Sequence, residues 1–297
     1  MKLTELFNKG VRTLSFEVFP PKSDTAFESV RRATEEIAAL CPSFMSVTYG
    51  AGGGTSRYTL EVARNIELKY GVPTLAHLTC VSSTRETVRQ RLSDMERMGI
   101  QNVMALRGDI PKEWEKTGPA TPDYKYAIDL IGEIRSGGHD FAVGAACYPE
   151  VHPESVSRED DIHHLKEKVD RGVDFLTTQM FFDNRLFYDF LDRASAVGIS
   201  VPVVAGIMPI TDARQIKRAI ELSGCYIPRR YQELLERYGD DPVSMRDAGM
   251  EYATEQISDL YFRGVKNVHV YSMNKPEVAA KIKKNLSAML EGDKVKK

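Results

Sequence analysis

Short runs of branched and aromatic residues alternate with longer amphipathic stretches along almost the whole chain. Eight runs have the composition of buried strands and are bounded by turn residues. They lie at 12–19, 44–49, 74–80, 101–107, 141–147, 174–180, 201–207 and 267–272. Helical periodicity occurs between them, at 24–40, 56–70, 84–98, 123–137, 158–171, 184–197 and 211–223, with more at about 228–263 and a last helix near 275–291. The repeated alternation predicts parallel strands closed into a (β/α)₈ TIM barrel, with extra helices before strand eight.

Polar residues recur on one parity of several strands. Because side chains alternate between the two faces of a strand, one parity should meet the helices and the other should point into the barrel. The polar sets are Thr13, Ser15 and Glu17; Ser46 and Thr48; His77 and Thr79; and Thr177 and Gln179, with Arg107 and Asp109 after the fourth strand. These sets lie close to the carboxyl ends of the strands, where the active site of a parallel barrel forms.

The length and charge of the chain restrict its partners. No low-complexity linker divides the 297 residues, so we expect 1–297 to form one barrel domain without a separate regulatory domain. The 40 Lys and Arg residues balance 42 Asp and Glu residues, which argues against nucleic acid and against a polybasic membrane surface as partners. The sequence has no apolar run typical of a signal peptide or a membrane span. We expect small-molecule partners.

Four cysteines are spread through the sequence without a CxxC pair: Cys41, Cys80, Cys147 and Cys225. This spacing disfavours a zinc ribbon, an iron–sulfur cluster and a disulfide framework. It favours a reducing, cytoplasmic setting.

Glu17 is the residue that indicates chemistry most directly. It lies inside an apolar strand, where loss of hydration should raise the pKa of the carboxyl group and allow it to act as a general acid near neutral pH. The alternative is a structural glutamate paired with an Arg or Lys across the barrel.

Two loops invite a ligand interpretation. The segment Gly50-Ala51-Gly52-Gly53-Gly54 matches neither GxGxxG nor GxxxxGK[ST], so we interpret it as a loop that lets a ligand approach the backbone. After strand four, Asp109 could stabilise a developing cation or adjust the electronics of a cofactor, or it could form a structural pair with Arg107.

The segment 147–154 contains Cys147, His152 and Glu154, which suggests a metal site at first. The spacing fits neither HExxH nor a compact Cys/His chelate, and the adjacent His163 and His164 do not face each other on a helix. We expect no metal. The two prolines of the segment 147–154 favour a rigid loop that presents Tyr148 and His152 to a ligand.

Eight motifs occur in the order in which they occur in one enzyme family. They are SFEVFPP at 15–21, SVTYGA at 46–51, AHLTC at 76–80, ALRGD at 105–109, YPEVHPE at 148–154, LKEKVD at 165–170, TQMFFD at 178–183 and GIMP at 206–209. On these motifs the chain resembles the bacterial-type, flavin-dependent methylenetetrahydrofolate reductases along essentially its full length.

The resemblance implies non-covalent FAD at the carboxyl ends of the strands and a ping-pong reduction of 5,10-methylenetetrahydrofolate to 5-methyltetrahydrofolate, with electrons from NADH or NADPH. It implies that Glu17 protonates the folate during ring opening, that Asp109 lies beside flavin and folate, and that Gln179 binds the pterin. The implied cofactor-binding positions are Thr48, His77, Leu106, Arg107, Gly108, Asp109, Tyr126, Ala127, Ala146, Tyr148, His152, Asp161, His164 and Lys168. On chemical grounds, Arg107 and Lys168 could neutralise pyrophosphate charge.

The chain departs from the family pattern at two positions. Ala213 stands where a relative has an aromatic residue, and Lys275 stands at an arginine position that contacts substrate. Some relatives receive electrons from a partner protein, so the donor stays open between NADH, NADPH and a protein. The family forms dimers and tetramers, so we expect a homo-oligomer.

Two other classes of function stay open on the sequence. A metal-dependent hydrolase or lyase could be built on Glu17, Asp109 and His152. A non-catalytic barrel could serve in an electron-transfer assembly.

Overall fold

Eight parallel strands form a closed barrel in a computed structural model that describes residues 1–21, 23–49, 56–110 and 122–292. The strands are β1 Thr13–Val18, β2 Met45–Val47, β3 Thr74–Thr79, β4 Asn102–Leu106, β5 Ala142–Cys147, β6 Phe175–Thr178, β7 Val203–Ile207 and β8 Asn267–Val270. Each strand pairs with the next in sequence, and β8 pairs with β1. The predicted (β/α)₈ barrel is confirmed.

One helix precedes β1, and the others follow the strands and surround the barrel. They are α1 Leu3–Phe7, α2 Phe27–Ala39, α3 Ser56–Tyr70, α4 Arg85–Arg97, α5 Ala127–Ser136, α6 Arg158–Asp170, α7 Asn184–Ala196, α8 Arg214–Ser223, α9 Arg229–Tyr238, α10 Pro242–Phe262, α11 Pro276–Asn285 and α12 Ser287–Glu291. A 3₁₀ turn, Asp24–Ala26, precedes α2. Side-chain caps at Thr84, Ser157, Asp183 and Asp241 begin α4, α6, α7 and α10. Within these ranges, no helix has both the length and the apolar character needed to cross a membrane.

Two predicted helical stretches are divided in the structure. The stretch 228–263 forms α9 and α10, because α9 ends at Tyr238 and the Asp241 side chain caps a new helix whose first residue is Pro242. The stretch 275–291 is divided at Leu286 into α11 and α12. Neither division changes the order of the barrel strands.

The two faces of the strands have separate partners, as the parity predicts. Outward residues such as Leu14, Phe16 and Val18 are buried in one large cluster with the apolar faces of the helices. A second cluster, which we call the barrel plug, fills the amino-terminal end of the interior. It consists of Leu3, Leu6, Phe7, Phe44, Leu75, Met104, Phe175 and Val204.

Helix α1 supplies three members of the barrel plug, although the sequence analysis did not predict this helix. The Phe7 ring lies 5.2 Å from the Phe175 ring and 6.0 Å from the Phe44 ring, measured between centroids. The backbone N–H of Leu3 donates to Asn102 Oδ1 at the start of β4. The amino-terminal end of the barrel is therefore packed with side chains, and a ligand must enter at the carboxyl end.

Candidate active site

Glu17 lies inside the barrel, near the carboxyl end of β1, with 9% of its surface exposed. Its Oε2 atom is 3.4 Å from the Ser46 hydroxyl on β2 and 3.7 Å from His77 Nε2 on β3. Burial raises the pKa of Glu17 to about 8, an effect that a hydrogen bond donated by the Ser46 hydroxyl would partly oppose. Within the described ranges, no Arg or Lys side chain contacts the Glu17 carboxyl group, so the cross-barrel ion pair considered as the structural alternative is not formed by those residues.

His77 faces Glu17 as a neutral base. Burial lowers the pKa of His77 to about 4, so the imidazole is uncharged at neutral pH. A buried carboxyl group with a raised pKa keeps its proton near pH 7 and can give it to a ligand that enters from above.

His269 on β8 lies deeper in the barrel and joins Glu17 to the barrel plug. Its Nδ1 atom is 2.7 Å from Ser15 Oγ and its Nε2 atom is 2.9 Å from Ser46 Oγ. The ring stacks on Phe44 with centroids 5.5 Å apart, and burial lowers the pKa of His269 to about 3. The parity analysis identified Ser15 and Ser46 but did not single out His269.

Tyr271 directly follows β8 and is partly buried near Glu17. Its hydroxyl donates to the Thr178 carbonyl oxygen at 2.5 Å, and burial raises the pKa of the phenol well above its usual value. Gly206 makes room for this contact, since a Cβ atom there would lie 2.5 Å from the Tyr271 hydroxyl. Electrostatic interactions link Tyr271 to both Glu17 and Tyr148.

Arg107 stands at the mouth, just after β4. Its guanidinium donates two hydrogen bonds of 2.7 Å to the two carboxylate oxygens of Glu154. The pair found is thus Arg107 with Glu154, whereas the sequence analysis had considered Asp109 as the partner. Asp109 is exposed and follows Gly108, whose φ of +85° turns the chain in a conformation that favours glycine.

A second set of polar and aromatic residues adjoins Arg107. The Tyr148 and His152 rings meet edge to face with centroids 4.6 Å apart, and burial raises the pKa of Tyr148 to about 12. The Lys168 ammonium donates to the Ala146 carbonyl oxygen at 2.8 Å, while burial lowers the Lys168 pKa and Asp161 raises it. The loop after β4, the loop after β5 and helix α6 therefore supply one cluster, which we call the mouth cluster: Arg107, Tyr148, His152, Asp161 and Lys168.

The mouth cluster and the interior fit a flavin dinucleotide in three respects. Arg107 and Lys168 offer two partly buried cations to a diphosphate. Tyr148 and His152 offer aromatic surface. Below them, the Thr177 hydroxyl on β6 is buried without a hydrogen-bond partner in the described part of the chain, so it can accept one from a ligand.

Other predicted positions lie at the same end of the barrel. Thr48 follows β2, and Leu106 ends β4. Ala146 is the last residue but one of β5, and Ala127 begins α5. Tyr126, which precedes α5, is 46% exposed. His164 is exposed on α6, and its ring contacts Asp160 and Glu167 of the same helix.

The predicted folate-binding residues lie after β6 and β8. Gln179 Oε1 accepts a hydrogen bond of 2.9 Å from the backbone N–H of Met180. The Lys275 ammonium donates to Thr211 Oγ1 at 2.7 Å, which joins the loop after β8 to the loop after β7. Ala213 lies next to Gly239, since a Cβ atom on that glycine would be 3.5 Å from the Ala213 methyl group.

A glycine-rich loop, a metal site and the state of the cysteines were also considered from the sequence. The loop Gly50–Gly54 lies outside the described residues. Among the residues that are described, no group of three or more His, Cys, Asp or Glu side chains could hold a metal ion. All four cysteines are free thiols, of which Cys41 alone is exposed.

Comparisons with known proteins identify the relatives of this barrel. A family model described as methylenetetrahydrofolate reductase matches residues 2–287. The chain is 34% identical to 5,10-methylenetetrahydrofolate reductase of Pectobacterium carotovorum over 91% of its own length and 89% of that protein. It is 33% identical to the Escherichia coli protein of the same name over the same shares.

A longer relative and a distant one complete the comparison. The chain is 34% identical to methylenetetrahydrofolate reductase (NADH) 1 of Zea mays over 99% of its own length, and spans 51% of that protein. The fold also matches an uncharacterized protein from Clostridium thermocellum, described as binding two copies of 5-methyl-5,6,7,8-tetrahydrofolic acid, with a TM-score of 0.66 and 15% identity over 97% of this chain and 98% of that one.

Proposed function

Because the chain belongs to the methylenetetrahydrofolate reductase family, we propose that it reduces 5,10-methylenetetrahydrofolate to 5-methyltetrahydrofolate with electrons from NADH or NADPH, carried by non-covalent FAD. The observation that carries this proposal is the neutral acid Glu17, held inside the barrel beneath a mouth lined by cations and aromatic rings. Bound FAD would supply the two-electron carrier between the nicotinamide and the folate.

Glu17 would act on the folate. Opening the five-membered ring of the substrate breaks a carbon–nitrogen bond, and the departing nitrogen needs a proton. With a pKa raised to about 8, the Glu17 carboxyl group holds that proton at neutral pH. The carboxylate left behind is poorly solvated, so it recovers a proton readily before the next turnover.

The mouth cluster would hold the cofactor. Arg107 and Lys168 would bind the diphosphate, and Tyr148 and His152 would pack against the cofactor. The Thr177 hydroxyl would receive a hydrogen bond from the bound molecules. The remaining proposed cofactor positions are Thr48, His77, Leu106, Gly108, Asp109, Tyr126, Ala127, Ala146, Asp161 and His164.

Substrate contacts would come from Asp109, Gln179 and Lys275. Asp109 would favour the cationic iminium that ring opening produces, and Gln179 would hydrogen-bond the pterin. Lys275 would interact with the anionic part of the folate, from the position where the family has arginine. The folate described for the structural neighbour with the same fold supports this substrate class.

A ping-pong reaction is supported by the shape of the barrel. Because the barrel plug fills the amino-terminal end, nicotinamide and folate would reach the cofactor through the same opening. We propose that the two substrates occupy the same place against the cofactor, so that each binds only after the other has left. The donor stays open between NADH, NADPH and a partner protein, because Ala213 stands at the aromatic position of a relative.

We further propose that residues 1–297 form one catalytic domain that assembles as a homo-oligomer in the cytoplasm, with neither nucleic acid nor membrane as a partner. The balanced charge of the chain supports the last part of this proposal.

The experiment begins with the purified protein, which should be yellow, with flavin absorbance near roughly 370 and 450 nm. Anaerobic stopped-flow mixing with NADH, NADPH and reduced candidate protein donors should bleach the band near 450 nm with at least one donor. Addition of 5,10-methylenetetrahydrofolate should restore the band and yield 5-methyltetrahydrofolate. A colourless protein that takes up no added FAD would refute the proposal.

A further inference from the structure

A continuous chain of hydrogen-bond contacts runs from Glu17 down to the backbone of β8. It passes from Glu17 Oε2 to Ser46 Oγ over 3.4 Å, and from there to His269 Nε2 over 2.9 Å. On the other side of the ring, His269 Nδ1 is 2.7 Å from Ser15 Oγ, which is 3.0 Å from the Val268 carbonyl oxygen. All four side chains are buried. One group in this series of hydrogen bonds, the Val268 carbonyl oxygen, can only accept. Its presence determines the direction of the other bonds.

The direction follows from counting protons. A carbonyl oxygen can only accept, so the contact with Val268 uses the single hydroxyl proton of Ser15. The contact between Ser15 Oγ and His269 must then be donated by the ring, which places the proton of the neutral imidazole on Nδ1. His269 Nε2 is left as an acceptor, and its contact with Ser46 uses the Ser46 hydroxyl proton. The Ser46 oxygen therefore presents a lone pair to Glu17, and the protonated carboxyl group donates across the 3.4 Å contact. Ser46 can donate to Glu17, and so lower its pKa, only when the imidazole does not engage the hydroxyl proton.

The reverse direction satisfies fewer contacts. If Ser15 donated to Nδ1, the ring could donate from Nε2 to Ser46, and Ser46 could donate to an ionised Glu17. The contact between Ser15 and the Val268 carbonyl oxygen would then have no proton. Four contacts are satisfied in the first direction and three in the second, so the first direction, which requires a protonated Glu17, is favoured.

The surroundings of His269 keep the ring neutral and fixed. Phe44 stacks on one face with an interplanar angle of 3°, and Tyr271 meets the ring edge with centroids 5.6 Å apart. Among the described residues, the titratable side chains that interact with this ring or with Glu17 are His77 on β3 and Tyr271, which follows β8, besides Glu17 itself on β1. Each of them is held in its uncharged form at neutral pH by burial. The imidazole can therefore act as a pure acceptor toward Ser46.

We propose that His269 is a positioning residue for folate reduction, because it engages the Ser46 hydroxyl proton and so prevents Ser46 from stabilising the ionised form of Glu17. This inference rests on the proposed role of Glu17 as the acid. His269 neither gains nor loses a proton in the reaction. Its effect is to keep Glu17 protonated up to a higher pH than burial and a donating Ser46 hydroxyl together would allow.

The first test measures the tautomer in the intact holoenzyme. Nitrogen-15 NMR of protein labelled at histidine distinguishes Nδ1–H from Nε2–H rings, and the His269 signals are identified by their loss in H269F. We expect a neutral Nδ1–H ring that does not titrate between roughly pH 6 and 9. An Nε2–H ring, or a ring that becomes charged in this range, would overturn the proposal.

The second test measures the pH dependence of the folate half-reaction. In H269F the ring stacking on Phe44 is retained, but Ser46 loses its acceptor and can donate to Glu17. The rate of flavin reoxidation by 5,10-methylenetetrahydrofolate falls as pH rises through the Glu17 pKa. We expect the midpoint of this decline to move down by about one pH unit in H269F. Flavin reduction by the nicotinamide should be unchanged.

A double variant distinguishes an effect of His269 that acts through the Ser46 hydroxyl from a general disturbance of the barrel. In S46A the hydroxyl is absent, so adding H269F should move the midpoint no further. An unchanged midpoint in folded H269F, or an equal shift in the S46A background, would overturn the proposal. If H269F does not fold, the other five histidines are assigned by single His→Gln variants, and the tautomer of the remaining wild-type ring decides. A wild-type enzyme that binds no flavin or reduces no folate would refute the proposed function instead, so the two failures are distinguishable.

Discussion

The Glu17 carboxyl group and the His77 imidazole lie 3.7 Å apart inside the barrel, and burial holds both of them uncharged. The distance by itself suggests an ion pair. However, the pKa of Glu17 is raised to about 8 and that of His77 is lowered to about 4, so between these values the acid keeps its proton and the base stays neutral. Transferring the proton would create two buried charges at a high desolvation cost. Near neutral pH the pair is therefore a protonated carboxyl group beside a neutral imidazole.

The raised pKa of Glu17 predicts a pH-dependent gain in stability for Glu17→Gln. Between about pH 4.5 and 8 the folded wild-type protein holds a proton that the unfolded chain has lost, so the free energy of unfolding decreases as pH rises through this window. The glutamine side chain does not titrate, so the variant does not lose this stability as pH rises. Its melting temperature should exceed that of wild type by more at pH 8 than at pH 5, with a free-energy difference on the order of a few kcal/mol.

His77→Gln serves as the matched comparison, with the opposite sign. The unfolded chain binds a proton on His77 below about pH 6.5, whereas the folded protein does so only near pH 4. Wild-type stability therefore decreases as pH falls through this window, and the gain in His77→Gln should be larger at pH 5 than at pH 8. Thermal unfolding of both variants that shows the same difference from wild type at both pH values would contradict the assigned burial effects.

Arg107→Gln should weaken FAD binding by about 10- to 100-fold, because a charge-assisted hydrogen bond to phosphate contributes roughly 1.5–3 kcal/mol. Fluorescence titration of the apoprotein with FAD gives the dissociation constant. Arg229→Gln is the control, since Arg229 also pairs with a glutamate but lies exposed on α9, 89% of its side chain being accessible. Equal affinities of the two variants would remove Arg107 from the cofactor site.

Lys275→Ala should raise the KM for 5,10-methylenetetrahydrofolate about tenfold and change kcat little. The Lys275 ammonium interacts with Thr211 on the loop after β7, and neither residue touches the proposed acid. Loss of the ammonium therefore removes binding energy that the substrate and the transition state share. Steady-state kinetics over a range of folate concentrations measures both constants. Lys275→Arg, which keeps the charge, should retain a KM close to that of wild type. Lys281→Ala, at an exposed position of α11, should have no effect; a tenfold rise there too would mean that the effect is not specific.

Phe7→Ala should destabilise the fold by about 3 kcal/mol, since it leaves a cavity in the barrel plug beside Phe44 and Phe175. Chemical denaturation measures the loss. Phe262→Ala is matched in chemistry but not in burial, because Phe262 is 85% exposed on α10, and it should change stability by less than about 0.5 kcal/mol. Similar losses in the two variants would show that α1 does not support the barrel.

The sequence predicts the barrel well because alternation within strands is a local property. All eight strands occur at the predicted places, and Glu17 is buried on the predicted face. Helix α1 was not predicted, since five residues are too few to show a helical period and its burial depends on the closed barrel above it.

Contacts between distant strands could not be predicted in the same way. His269 meets Ser15 and Ser46 only because β8 closes on β1, and its strand is four residues long. A signal was present, since Asn267, His269 and Tyr271 alternate with Val268 and Val270. The partner of Arg107 was likewise distant, in the loop after β5, whereas the sequence suggested a neighbour two residues away. The assignment of site residues to FAD and folate stays a prediction.

The central claim is that Glu17 is the acid of the folate half-reaction, and anaerobic stopped-flow kinetics of Glu17→Gln tests it most directly. The glutamine keeps the size of the side chain and removes the transferable proton. Reduction of the bound flavin by the nicotinamide should proceed within about twofold of the wild-type rate, while reoxidation by 5,10-methylenetetrahydrofolate should slow by about 100-fold or more. Equal slowing of the two half-reactions, or an unchanged rate of reoxidation, would contradict the claim.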